Sequence, residues 1–258
     1  MQRKYAFDKV AEEYDRIRPK YPIEVYKDII EYSNLKQDGN ILEIGCGTGQ
    51  ATEGFVNLGY TNITAVELGK DLCKIAADKF KDYKDVNIFH SDFEGWKEET
   101  GQKFDLAISA TAFHWIQQDI GYKKTSELLT DSGSIGFFWT HHVPGRGEIF
   151  SQISEAYQKY APNLDYNNSN QVEEIIDERI KSIKATGLFK DLVVKRYEWV
   201  DKYSSEDYIA LFNTNSAHQV LDSDIKDRLF NNIREIIKKH GDQILKPQFV
   251  VLYLARKK

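Results

Sequence analysis

Three glycines at alternate positions, Gly45, Gly47 and Gly49, follow the apolar run Ile41-Leu42-Glu43-Ile44 and lead directly into a helical pattern. Glycine permits a tight turn and lets a ligand reach main-chain amides, and a helix N-terminus beyond the turn attracts the electron-rich edge of a cofactor. About twenty residues on, the spacing at which an acid meets a ribose in dinucleotide-binding folds, Glu67 closes the run Ile63-Thr64-Ala65-Val66-Glu67-Leu68. A carboxylate there can accept from both ribose hydroxyls. Ser91-Asp92-Phe93 follows a third run, at 86–90. Taken singly, the loop is a structural turn and each acid a solvated strand end. In order, each at a strand's carboxyl end, they describe a nucleotide-type cofactor site. The dinucleotide fingerprint would require glycine where Gln50 stands, and this opposes a nicotinamide-dependent oxidoreductase.

Other residues suit an acceptor. His114, just past the run Phe104-Asp105-Leu106-Ala107-Ile108-Ser109, is placed to act as hydrogen-bond donor or base, or to pack beside Trp115, itself a candidate pocket wall. His141 and His142 follow the run 134–140, and neighbours in an extended segment point opposite ways, so at most one faces a pocket. Arg146, in Pro144-Gly145-Arg146-Gly147, either clamps an anion bidentately or is solvated. Cys46 and Cys73 read as packing residues. No HxH, HExxH or cysteine-rich spacing suggests a metal.

The spacing Glu-x-Gly-x-Gly-x-Gly resembles motif I of class I S-adenosylmethionine-dependent methyltransferases. Leu128-Leu129-Thr130-Asp131-Ser132-Gly133-Ser134 is similar to the family's turn before its fifth strand, with Asp131-Ser132-Gly133 in place of Pro-Gly-Gly. A narrower resemblance is to the trans-aconitate methyltransferase group. It rests on Tyr14-Asp15-Arg16-Ile17-Arg18-Pro19-Lys20-Tyr21-Pro22, on His114-Trp115, and on the stretch from Tyr208 to Ser216. The resemblance implies S-adenosylmethionine held by Glu43, Gly45, Cys46, Gly47, Thr48, Gly49, Glu67, Leu68, Asp92, Phe93 and Ala110. Asp92 would accept from the adenine amino group, and Tyr14 and Arg18 on a lid helix would approach the methionine end. Trp115, His141, Arg146 and Tyr208 would line the acceptor, and His114 would act on it.

The elements that must position these residues follow from periodicity. Strands are predicted at 40–44, 62–67, 86–90, 104–109, 134–140, 191–199 and 248–255, with helices at 7–18 (Phe7, Val10, Ala11, Tyr14 and Ile17 on one face), 22–33, 50–58, 70–81 and 119–130. Alternation implies βαβ units with right-handed crossovers. The expected fold is α/β: a Rossmann-like, seven-stranded, mostly parallel sheet with helices on both faces and a helical cap. The family's last hairpin implies that 248–255 runs antiparallel. One domain is expected over 1–258, with a core at about 36–142 plus strands 191–199 and 248–255. Segments 145–187 and 201–245 are too long for ordinary loops and, with 1–30, form the cap.

The 258 residues carry 35 Lys and Arg against 40 Asp and Glu, a net charge of −5 with the signs mixed. A nucleic-acid-binding domain should show a basic footprint. Strand four also runs into Ser109-Ala110-Thr111-Ala112-Phe113 instead of the Asp/Asn-Pro-Pro-Tyr turn of nucleic-acid amino-methyltransferases. No apolar h-region follows the N-terminus and no apolar run approaches membrane-spanning length, so a cytoplasmic protein without a membrane partner is expected. The leading reading is methyl transfer to oxygen on a small molecule carrying a carboxylate or similar polar group. C- or N-methylation of a quinone-like, sterol-like or amine substrate is the alternative within enzymes. A cofactor-binding sensor or interaction protein is the alternative outside them. Oligomeric state is not written in the sequence.

Overall fold

Helix α1 (Ala11–Ile17) stops at Arg18, whose backbone is already extended ahead of Pro19, because the residue before proline avoids helical geometry. Pro22 then opens α2 (Ile23–Ser33), which ends on Asn34 in the left-handed region. The computed structural model describes residues 10–164 and 171–258. Phe7, and the expected cap segments where they cover 1–9 and 165–170, lie outside those residues.

From there strands and helices alternate: β1 (Ile41–Ile44), α3 (Gln50–Asn57), β2 (Ile63–Glu67), α4 (Lys70–Phe80), β3 (Val86–His90) and β4 (Phe104–Ala110). A 3-10 turn at Phe113–Trp115 precedes α5 (Gln118–Leu128) and β5 (Leu129–His142). The chain continues through α6 (Glu148–Tyr160), α7 (Gln171–Ala185), β6 (Phe189–Tyr203), α8 (Ser205–Asn213), α9 (Ser216–Gln219), α10 (Ser223–Lys239) and β7 (Ile244–Lys257). The seven strands make one mixed, mostly parallel sheet in the order β3-β2-β1-β4-β5-β7-β6. Parallel pairing joins β1 to β2 and β4, β2 to β3, and β4 to β5.

The fifth strand begins earlier than the expected 134–140. Leu129 opposes Phe104 and Ser134 opposes Leu106, so a two-residue step on β4 meets a five-residue step on β5. Asp131-Ser132-Gly133, expected as a turn before the strand, lies in the bulged stretch that absorbs the difference. The two last strands are also longer than expected.

The chain divides into two compact units. One comprises residues 20–140, 174–197 and 250–258. All four side chains of β1 are buried, as in a strand covered on both faces. Ile29 of α2 packs on Gly136 of β5, and Phe113 packs on Phe137 with ring centroids 4.4 Å apart and the rings tilted by 33°. The other unit comprises 141–173, 198–249 and the described part of 1–19. Its core joins Ile17, Ile153, Tyr157, Phe212 and the buried face of α10, formed by Leu229, Phe230, Ile233, Ile236 and Ile237. Recurrence at three and four residues gives α10 one apolar side, and the Asp222 carboxylate caps its N-terminus by accepting from the amides of Asp224 and Ile225. No described helix is long and apolar enough to cross a membrane.

Candidate functional site

Gly45, Gly47 and Gly49 all adopt positive φ, at 71°, 59° and 86°. At Gly45 the need for glycine is also steric: a Cβ there would lie 2.5 Å from that of Ala112. Gly49 is the N-cap of α3, and a Cβ on it would meet the Phe80 ring at 2.4 Å. The turn is anchored from both neighbouring strands. Gly45 donates its amide to Val66 O at 2.8 Å, and the buried Ser109 hydroxyl donates to Ile44 O at 2.7 Å. Cys46 is buried in the loop, and burial pushes its thiol well above the ordinary range, as suits a packing residue. Thr48 is also buried, its hydroxyl accepting from Gln50 Nε2.

Glu67, at the end of β2, is buried and tied to the loop. Its Oε2 accepts from the Gly47 amide at 2.8 Å and its Oε1 from the Gly69 amide at 2.7 Å. The carboxylate therefore holds the second glycine in place. Leu68 beside it is half-buried, and its carbonyl meets His90 Nε2 at 3.1 Å. Glu43 is fully buried inside β1. Desolvation lifts its carboxyl to about 8, with the Glu67 charge pushing the same way and the Thr52 hydroxyl, which donates to Oε2 at 2.6 Å, opposing. Glu43 Oε1 is buried with no hydrogen-bond partner.

After β3, Asp92 is exposed and accepts from the Gly95 amide at 2.5 Å, while the Phe93 ring is buried. A residue without any sequence signal fixes this turn. Lys124 of α5 donates its ammonium to the carbonyls of Phe93, Glu94 and Trp96, and lies 5.0 Å over the Phe93 ring.

The end of β4 carries a strained residue. Beyond Ala110, Thr111 has φ 54°, in the left-handed region that β-branched residues avoid. Its amide donates to Phe138 O, and its hydroxyl oxygen accepts from the Thr140 amide at 3.1 Å. The next turn presents His114, with the Trp115 ring 4.6 Å away. Trp139 Nε1, from β5, lies 3.0 Å from His114 Nδ1. An indole N–H only donates, so Nδ1 is the acceptor and the proton of the neutral ring sits on Nε2. Desolvation and the neighbouring Arg179 charge lower the imidazole's pKa to about 4. The side chain keeps a solvent-exposed edge, so the Trp139 bond, which protonation at Nδ1 would break, is the firmer reason for neutrality.

Five expected site residues belong to the other unit. Arg18 stacks over Tyr14 at 4.6 Å and donates through Nη2 to Thr214 O at 2.5 Å. Tyr208 is completely buried and packs on Phe212 with centroids 4.5 Å apart. His141 is buried near Phe249, whereas His142 is exposed, the alternation that an extended segment imposes. Arg146 lies exposed between β5 and α6. Among the described residues no group of three or more His, Cys, Asp or Glu could hold a metal ion.

Residues 41–133 match a family described as a methyltransferase domain. Over 168 residues the chain is 32% identical to a malonyl-[acyl-carrier protein] O-methyltransferase of Paenibacillus sp. (strain JDR-2), covering 60% of each protein. Over 151 residues it is 28% identical to malonyl-[acyl-carrier protein] O-methyltransferase 2 of Ilyobacter polytropus, covering 57% of this chain and 56% of that one. The matches thus span little more than half the length of these relatives. A solved structure from Anaeromyxobacter dehalogenans, ascribed to a type II methyltransferase, shares the fold with a TM-score of 0.62 at 18% identity, over 93% of this chain and 96% of that one. The family match begins at the first residue of β1 and takes in the glycine loop, Glu67, Asp92 and the end of β4; together with the seven-stranded sheet and the methyltransferases among its relatives, it supports a class I S-adenosylmethionine-dependent methyltransferase.

Proposed function

We propose that this chain transfers a methyl group from S-adenosylmethionine to a carboxylate oxygen of a small molecule. The Trp139–His114 hydrogen bond carries this reading. With Nδ1 accepting and the proton on Nε2, the imidazole is a donor that orients an acceptor and has no site to take its proton. A carboxylate is already ionised at neutral pH and needs no base, whereas a phenol or ammonium does. The names of the two relatives, both O-methyltransferases, support oxygen as the receiving atom.

The residues around the glycine loop fit the cofactor. Glu43 Oε1, buried without a partner, suits the ammonium at the amino-acid end. After accepting two backbone amides, the Glu67 oxygens retain lone pairs for ribose hydroxyls. Asp92 and Phe93 would meet the adenine. When bound, the cofactor supplies a sulfonium methyl: a carboxylate lone pair forms the O–CH3 bond as the S–CH3 pair stays on sulfur, and no proton is released. The chain's own work is alignment and exclusion of water.

The test is to incubate the protein with labelled cofactor and short carboxylic acids, free and acyl-carrier-linked, beside matched phenols and amines. Base-labile methyl esters are expected. Methylation confined to phenols or amines would overturn the carboxylate assignment, and cofactor binding without turnover of any acceptor would favour the sensor. A second expectation concerns Glu43. Its carboxyl, lifted to about 8 by burial and the Glu67 charge against the opposing Thr52 hydrogen bond, and packed near the neutral Cys46 thiol, must ionise to pair with an ammonium. Cofactor affinity should therefore rise about tenfold between pH 6.5 and 7.5, with proton release on binding. Calorimetry in buffers of different ionisation enthalpy measures both, and Glu43→Gln should abolish both.

A further inference from the structure

The turn after β3 lies outside helix and strand, so its shape depends on a few bonds. Two of them are its own. Asp92 O accepts from the Trp96 amide at 3.0 Å, and Asp92 Oδ1 accepts from the Gly95 amide at 2.5 Å. The rest come from one side chain. The carbonyls of Phe93, Glu94 and Trp96 converge on the Lys124 ammonium, the first two at 2.6 and 3.3 Å. The same nitrogen lies 5.0 Å over the Phe93 ring and 5.8 Å over that of Trp96, both buried.

Three carbonyl oxygens aimed at one point repel one another, and a cation at that point turns the repulsion into attraction. An alkylammonium carries three N–H donors, which match three carbonyls one for one. A guanidinium, planar and forked, does not offer that cone of donors. Lys124 is in turn held by a packed helix: on α5, Thr125 beside it is fully buried and Tyr122 meets the Phe113 ring at 4.8 Å. All of these residues belong to one compact unit. Asp92 and Phe93, the two residues suited to the adenine, thus take their positions from a lysine some thirty residues away on α5. The Asp92 carboxylate, oriented by the Gly95 amide, can accept further donors. An adenine offers it an amino group. A base with oxygen at that place would set acceptor against acceptor.

We propose that Lys124 is a positioning residue for base selection: by holding the 92–96 turn it sets the Asp92 carboxylate to take an adenine and to reject a hypoxanthine. This rests on the reading of Asp92 and Phe93 as the adenine contacts given above.

The experiment measures, by calorimetry, the affinity of S-adenosylhomocysteine and of its deaminated analogue S-inosylhomocysteine. Wild type is compared with Lys124→Met, Lys124→Arg, Asp92→Ala and the double variant Asp92→Ala/Lys124→Met. The wild type should prefer the adenine ligand about tenfold, the lower end of the range for a hydrogen bond to a charged group because Asp92 is exposed. Lys124→Met should bring the preference to about threefold or less, chiefly by weakening the adenine ligand. Lys124→Arg, which keeps the charge without the matching donors, should fall between, and it decides the matter where Lys124→Met does not fold. In the Asp92→Ala background the preference should already be lost, and Lys124→Met should not change it further. A lysine that merely fastens α5 to the turn would lower both affinities by the same factor. That result, or an undiminished preference in the folded Lys124 variants, overturns the proposal and leaves the adenine reading standing. A wild type that binds both ligands equally overturns the adenine reading of Asp92 and the role of Lys124 with it.

Discussion

Glu67→Ala should weaken binding of S-adenosylmethionine by about 1.5–3 kcal/mol, roughly 10–150-fold in Kd, the range for hydrogen bonds to a charged group. The loss has two sources. The ribose hydroxyls lose their acceptor, and the Gly47 and Gly69 amides lose the carboxylate that now fixes them at 2.8 and 2.7 Å. Glu67→Gln should recover only part of the affinity. One of the two backbone N–H groups would then face a side-chain NH2, donor against donor. Calorimetry on folded variants decides the point, and an affinity equal to that of the wild type in Glu67→Ala would remove the residue from the site.

For His114→Ala, a fall in kcat/KM of about 10–100-fold is expected, the scale of one or two lost hydrogen bonds in the transition state. The pH profile separates this role from base catalysis. With the imidazole's pKa lowered to about 4 by desolvation and Arg179, and Nδ1 occupied by Trp139, the wild-type rate should show no histidine limb near pH 6.5. Trp139→Phe frees Nδ1 while keeping an aromatic ring beneath Arg179. Losing the bond that favours the neutral ring moves the pKa upward, while desolvation and Arg179 still hold it down. Any histidine limb in this variant should therefore lie at higher pH than in the wild type. A wild-type limb near 6.5 that vanishes in His114→Ala would restore the histidine as a base.

How far these residues could be read from the chain depends on what fixes them. Gly45 and Gly49 were legible because their demand is local, a positive φ in a strand-loop-helix context. Glu67 was legible for a related reason, since the strand's period delivers it to the sheet edge at a known distance from the loop. The His114–Trp139 bond joins residues 25 apart on different elements, and nothing in either neighbourhood announces it. Arg179 is harder still, because a helix reads as an apolar stripe with charges around it, and the stripe does not say which charge turns inward. Lys124 carries the same lesson: only the fold shows three carbonyls converging on its ammonium. The early start of β5 is hidden in the sequence because the stretch around Asp131-Ser132-Gly133 has turn chemistry, and pairing on either side of it overrides that local preference.

Thr111 sets the site against the robustness of the fold. A β-branched residue at φ 54° costs about 1–3 kcal/mol, a sizeable part of the ~5–15 kcal/mol that holds a typical domain together. Glycine would adopt the same backbone freely, so selection for heat resistance alone should favour Thr111→Gly. The substitution would release the Thr140 amide from its acceptor and remove the hydroxyl that lies 3.4 Å from Tyr21, loosening the strand ends that present Trp139 and His114. Variants enriched for higher Tm should therefore accumulate at this position with lower turnover, a trade of durability against activity located in one torsion angle.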